Sequence, residues 1–390
     1  MSFINIKKLF SKDIEFPYEI DCIFDLSFFQ NKFLKDNLNK TFSIKETTFS
    51  NDVEKHLNIF KSLNVENINL VESLPKSKKN SLIKFVKDEI QSFIEEAKLD
   101  RYFSVYNKQQ DLYRNITKYN VDIKALNAYL LLEQNETLKT NLLGFKSNKE
   151  VEYSRSETVT GRLSSKSQAN ILTLPRKYRN IFKSSFEKGK LFYIDFVSLE
   201  PRIMRKLGGW DCQGDIYEEI MSSLELDIDR SIVKQAIISA VYGSSKKSLY
   251  SKISKDKVDQ LCSYIDKYLC VDQCLEMAQE SSENGRRTNF WGRALWNNHV
   301  IEENVILNNY VQSTAVDVAL SGFTKVYERL DKNQAKPVFI IHDALMIDIK
   351  EDYIDEFVKE VKQGYNCNIL GNFPISIEDL YGTKYWRSLE

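Results

Sequence analysis

Leu191-Phe-Tyr-Ile-Asp195-Phe-Val-Ser-Leu-Glu200-Pro-Arg202 and Val338-Phe-Ile-Ile-His342-Asp343-Ala-Leu-Met-Ile-Asp-Ile349 each set an acidic residue at the end of an apolar run. Short runs of this kind, rich in aromatic and β-branched side chains, read as buried strands. The second stretch holds two runs around His342-Asp343 and reads as a hairpin with the acid at its turn. Taken alone, either aspartate is a turn-capping residue. Taken together they point to more, because strand ends hold side chains rigidly. Two aspartates meeting across a sheet can bind a pair of Mg²⁺ ions, the arrangement used for in-line phosphoryl transfer.

Outward from these strands, Pro374-Ile-Ser-Ile377 reads as a further strand, and residues from about 203 to 335 are dominated by helical patterning. The expected fold class is therefore α+β, with a helical subdomain inserted into an antiparallel core. Arg230, Lys234, Ile238 and Tyr242 recur at every fourth position and lie along one helix face. Arg176, Lys177 and Arg179 form a basic cluster before the first strand, as well suited to phosphates as to plain surface charge. Further upstream, Leu82 to Ala97 and Val121 to Gln134 carry helical periodicity, and Leu74-Pro-Lys-Ser-Lys-Lys-Asn80 is a basic turn that marks a boundary. Residues 1–75 contain Asp52-Val53-Glu54, a D-x-E pair of the kind a proofreading nuclease uses. Asn51 and Glu54 instead have capping-box spacing for a helix over Val53–Leu63, and the segment is short for a nuclease domain.

Composition sets the outer bounds. A chain of 390 residues exceeds the usual single core, so several subdomains around one cleft are expected. Lys plus Arg and Asp plus Glu both number 55, so the net charge of zero neither favours nor excludes nucleic acid. The six cysteines form no CxxC pair, which fits a reduced, intracellular protein without structural zinc. The start of the chain lacks a signal-peptide pattern and no run reaches membrane-spanning length, so a soluble, cytoplasmic protein is expected.

In chain order the motifs are Thr158-Val-Thr-Gly161-Arg162-Leu-Ser-Ser165, Asp195-Phe-Val-Ser-Leu-Glu200-Pro-Arg202, Arg230-Ser-Ile-Val-Lys234 to Tyr242-Gly243, Gln312-Ser-Thr-Ala-Val-Asp317 and His342-Asp343. This ordered set closely resembles a family A DNA polymerase of the DNA polymerase I type. The resemblance runs from about residue 155 to the C-terminus, where Ile377-Glu378, Gly382 and Trp386 match the family's ending. It implies a right-hand polymerase: a small N-terminal region of unassigned role over 1–75, helical thumb 76–155, palm 156–205 and 300–390 on an antiparallel sheet, and helical fingers 206–299. It also implies template-directed addition of deoxynucleotides to a primer 3′-end, in replication or repair, without 3′–5′ proofreading.

The resemblance implies a role for each matched residue. Asp195, Asp343 and the Phe196 carbonyl would bind two Mg²⁺ ions, with Mn²⁺ as a substitute. Arg230 and Lys234 would grip the β- and γ-phosphates of the dNTP, and Lys234 would protonate the pyrophosphate. Ile238 and Tyr242 would face the incoming nucleotide, with Glu200 as the steric gate beneath its sugar. Arg162, Asn308 and Gln312 would reach the minor groove at the primer terminus, and His342 would touch the primer end. Primer-template DNA, dNTPs and other replication proteins are the implied partners, with no membrane. This chain departs from the pattern at Ile238, where the family carries Phe or Tyr, at Tyr217, where histidine is usual, and at Ala344, where glutamate is usual. Two rivals are a single-subunit RNA polymerase, against which Glu200 argues, and a catalytically idle nucleic-acid-binding replisome protein, against which the retained Asp195, Asp343, Arg230 and Lys234 argue.

Overall fold

The two apolar stretches supply three adjacent strands of a five-stranded antiparallel sheet in the computed structural model. Its strands are β1 (Gly189–Phe196), β2 (Ala335–Ile341), β3 (Ala344–Lys350), β4 (Ile375–Asp379) and β5 (Lys384–Trp386). They lie in the order β5-β4-β1-β3-β2. The structure describes residues 102–386 apart from 148–149, 152, 156–157, 166–167, 213, 225–227, 244–246, 284–285 and 296–301. The Asp52-Val53-Glu54 pair, the basic turn at 74–80 and the helix expected over 82–97 lie outside the described residues. The chain divides into two compact units, Met1–Asn107 and Lys108–Glu390. The first contributes only the start of helix α1 (Phe103–Asn115) to the described residues, and everything below belongs to the second.

Both faces of the sheet are covered, which is why its strands read as unbroken apolar runs. Alternation sends Phe192, Ile194 and Phe196 of β1 and Leu345, Ile347 and Ile349 of β3 into the main core. Leu191 and Tyr193 of β1 and Met346 of β3 face a second core, built with Tyr119, Leu126, Leu142, Phe145 and Tyr178. The second core is closed by α2 (Ile123–Leu132), α3 (Glu136–Ser147) and a 3-10 segment over Arg176–Ile181.

The helix expected over Val121–Gln134 is shorter than its periodicity suggests. The Asp122 carboxylate accepts from the Lys124 and Ala125 amides and so starts the helix one residue further on, while Val121 pairs with Phe182 in a short strand. At the other end the Glu133 carboxylate takes the Gln134 and Asn135 amides, and α3 begins as a separate helix.

The insertion between β1 and β2 is helical as expected: α4 (Leu199–Leu207), α5 (Ile216–Leu224), α6 (Arg230–Tyr242), α7 (Lys255–Tyr268), α8 (Val271–Glu280) and α9 (Glu303–Arg329). One departure is a small hairpin pairing Ser282–Glu283 with Arg286–Arg287. Helix α9 is buried along most of its length and packs on α4, α6 and α8. Its Gly322 permits the approach of β1, since a β-carbon there would lie 2.5 Å from the Phe196 ring. The last helix, α10 (Ile354–Lys362), precedes β4.

Candidate active site

Asp195 is the penultimate residue of β1, opposite Ala344 on one side and Ser376 on the other. Beyond it, Ser198 adopts left-handed geometry (φ 51°) and turns the chain into α4, which carries Glu200 in its first turn. Arg202, almost fully buried, fixes this turn by donating to the carbonyls of Val197 (2.9 Å), Cys212 (2.6 Å) and Gly214 (2.6 Å). Asp343 lies in the two-residue turn joining β2 to β3, with His342 in the left-handed region (φ 57°). Such backbone in a non-glycine residue costs roughly 1–2 kcal/mol and persists only where surrounding structure enforces it. Both His342 and Asp343 are exposed.

The Asp195 carboxyl is pushed up to about 8, first by burial and then by the negative charges of Asp343 and Glu378, with Lys234 opposing them. Glu378 shares the face of Asp195 one residue pair away and is itself tied to Arg176 at 2.9 Å. Asp195 Oδ1 is buried without a hydrogen-bond partner. An orphaned oxygen in a crowd of carboxylates is what a cation would satisfy, so the pair fits a metal site. Among the described residues no group of three or more His, Cys, Asp or Glu side chains is arranged to hold an ion. The Phe196 ring is buried against Phe323, with centroids 5.2 Å apart.

The remaining groups converge from five segments of the chain. Tyr242 at the end of α6 donates its hydroxyl to Glu200, and Arg162 donates to the same carboxylate at 3.2 Å. Burial raises the Glu200 pKa against the pull of both partners, and it pushes the Tyr242 hydroxyl up to about 12. The Thr160 hydroxyl donates to Gln312 at 2.6 Å. Arg162, Glu200, Gln312, His342 and Asp343 line one open cleft whose wall on α9 is made by Ala315 and Ala319. Partial desolvation of its ring on the cleft side, followed by the Arg162 cation, lowers the His342 pKa. Asn308, on the same helix as Gln312, is partly buried, and its Oδ1 has no hydrogen-bond partner.

On α6, Ile232, Val233, Ala236, Ile237 and Val241 are buried, which turns Lys234 and Ile238 outward. Gly243 ends the helix in left-handed geometry (φ 64°), where a β-carbon would collide with Asn304 at 2.6 Å. Arg230 is held in a clamp that the spacing pattern does not reveal. Its guanidinium pairs with Asp215 at 2.6 Å and stacks on the Tyr217 ring at 4.3 Å. Asp215 also accepts the Tyr217 amide at 2.8 Å, capping α5. Asp215 and Glu378 were not anticipated from the sequence, and their signals were weak: one stands two residues before Tyr217, the other in the C-terminal match.

Among solved structures, the chain is similar to the POL domain of Pol1 from M. smegmatis in complex with DNA primer-template and dNTP. The TM-score is 0.55 at 15% identity, over 80% of this chain and 75% of that chain. The fold is thus the α+β fold of a polymerase domain. The sequence profile of DNA polymerase family A matches residues 34–387, and the chain belongs to that family. It is also 25% identical to DNA polymerase I of Caldicellulosiruptor bescii over 267 residues, 59% of this chain. That match spans only 31% of the relative's length. Members of the family generally use divalent metals. Among the described residues no helix is long and apolar enough to cross a membrane.

Proposed function

We propose that the chain is a template-directed DNA polymerase that adds deoxynucleoside monophosphates to a primer 3′-end. The observation that carries this reading is the convergence of Arg162, Glu200, Gln312, His342 and Asp343 on one cleft, with Asp195 near enough to Asp343 to feel its charge and the outward face of α6 presenting Lys234, Ile238 and Tyr242. In this reading the thumb spans 76–155, the palm 156–205 and 300–390, and the fingers 206–299. Residues 1–75 do not proofread, and the enzyme works inside the cell on primer-template DNA and dNTPs, alongside other replication proteins.

Asp195, Asp343 and the Phe196 carbonyl would hold two Mg²⁺ ions, for which Mn²⁺ would substitute. When bound, divalent cations supply positive charge for the triphosphate and acidify the primer 3′-hydroxyl. The protein's part is positioning and charge. Lys234 and Arg230 grip the β- and γ-phosphates, and Lys234 delivers a proton to the departing pyrophosphate. Glu200, braced by Tyr242 and Arg162, fills the space that a 2′-hydroxyl requires. Arg162, Asn308 and Gln312 meet minor-groove acceptors common to every base pair and so sense pair geometry without reading sequence. His342 contacts the primer end.

The test is Mg²⁺-dependent primer extension with deoxy- and ribonucleotides. Asp195→Ala and Asp343→Ala are expected to bind primer-template and to lose extension by at least about a thousandfold. Extension near the wild-type rate by either variant removes the metal assignment. Glu200→Ala is expected to use ribonucleotides relatively better, and efficient ribonucleotide use by the wild type would favour the RNA polymerase reading.

A further inference from the structure

Two arginines with no part in the chemistry hold the loop that carries Arg162. Arg293 has no exposed surface and Arg155 is 5% exposed. Burying a guanidinium is costly unless its donors meet acceptors. Arg293 donates to the carbonyls of Val159 at 3.0 Å and Thr160 at 2.6 Å, and Arg155 donates through Nε to the Gly161 carbonyl at 3.2 Å. The three carbonyls immediately before Arg162 are thus fixed by two buried cations. Gly161 is left-handed (φ +67°), and a β-carbon there would lie 2.5 Å from the Arg293 guanidinium, so cation and backbone are in contact.

Arg155 is fixed in turn by Asp317, a fully buried residue of α9. Its terminal nitrogens donate to Asp317 Oδ1 at 2.9 Å and to Gln109 Oε1 at 2.6 Å, while Gln109 Nε2 donates to Asp317 Oδ1 at 3.1 Å. The other Asp317 oxygen accepts from Asn289 at 2.6 Å, and Asn289 Oδ1 accepts the Arg293 amide at 2.9 Å. One carboxylate therefore anchors both arginines, directly for Arg155 and through Asn289 for Arg293. The same helix carries Asn308 and Gln312, and Gln312 takes the hydroxyl of Thr160 in that loop.

We propose that Asp317, Arg155 and Arg293 are positioning residues that lock the 158–162 loop to α9, so that Arg162 and Gln312 reach the terminal base pair in a fixed mutual geometry. The proposal rests on the reading of Arg162 as a probe of the primer terminus. Its natural readout is the ratio of kcat/KM for extending a matched and a mismatched terminus, alongside the KM for dNTP and the melting temperature. Arg293→Lys keeps the charge but lacks the planar fork that spans two carbonyls. It is expected to lower matched-terminus kcat/KM by about tenfold and to narrow the matched-to-mismatched ratio, leaving the dNTP KM within about twofold. In an Arg162→Ala background the same change is expected to have an effect below about twofold, because the side chain it aims is gone. Asp317→Asn, which keeps the shape and removes the charge, is the companion variant and follows the same pattern. If Arg162→Ala lowers discrimination but Arg293→Lys and Asp317→Asn leave it unchanged, or multiply undiminished on Arg162→Ala, the positioning role is wrong while the reading of Arg162 stands. Unchanged discrimination in Arg162→Ala itself overturns both.

Discussion

At the scale of single residues, the site is governed by one carboxylate kept from ionising. Asp195 has a pKa near 8 in the folded chain against an ordinary value of 3.8. Between those values the folded state binds more protons than the unfolded one, so metal-free stability falls as pH rises through this window and levels off above it. Thermal melts without metal are expected to show a lower Tm at pH 8.5 than at pH 6, with Asp195→Asn reducing the difference; no such reduction would mean that Asp195 does not carry the shift. Because a metal must displace that proton, apparent Mg²⁺ affinity is expected to rise by up to about tenfold per pH unit below pH 8. Ile238 is the second decisive residue. It is 42% exposed on the outward face of α6, between Lys234 and Tyr242. An aliphatic side chain there offers neither a hydroxyl nor a π-face, so strong discrimination against dideoxynucleotides is expected, and Ile238→Tyr should relax it. The kcat/KM ratio of a deoxynucleotide to its dideoxy analogue decides this, and an unchanged ratio would turn Ile238 away from the sugar.

At the scale of elements, α5 and α6 are joined by the Asp215–Arg230 pair and the stack of Arg230 on Tyr217. The usual histidine at position 217 is replaced by a ring that can lie against a guanidinium, which confines the Arg230 side chain to a plane. Asp215→Asn can keep the helix cap through its amide oxygen, but it loses the charge that orients Arg230. The expected result is a dNTP KM about tenfold higher, with primer-template affinity and Tm little changed. Steady-state kinetics at saturating primer-template measures this, and an unaltered KM would mean that Arg230 reaches the phosphates without its clamp.

At the scale of the whole molecule, the capping interpretation of Asn51 and Glu54 carries a prediction about fidelity. A labelled primer with a mismatched terminus should keep its length in Mg²⁺ without nucleotides. Metal-dependent shortening that disappears in Asp52→Ala would assign nuclease chemistry to the Asp52-Val53-Glu54 pair. The sequence by itself determined the strands β1 to β4 and the helical insertion, and it picked out Arg162, Glu200, Gln312, His342 and Asp343, the polar residues that line the cleft. Strands buried on both faces leave unbroken apolar runs, helices leave a regular period, and carboxylates at strand ends stand out against both. Side-chain hydrogen bonds near in sequence were less legible. Asp122 and Glu133 trimmed a helix that periodicity alone had overextended. Only the tertiary structure decided which charges are buried and with whom. Arg155 and Asp317 are 162 positions apart, and Arg293 and Thr160 are 133 apart. In sequence a lone arginine reads as a solvated surface charge. Its burial depends on acceptors that distant segments bring together when the sheet register and the packing of α9 are set, and no local pattern encodes that encounter.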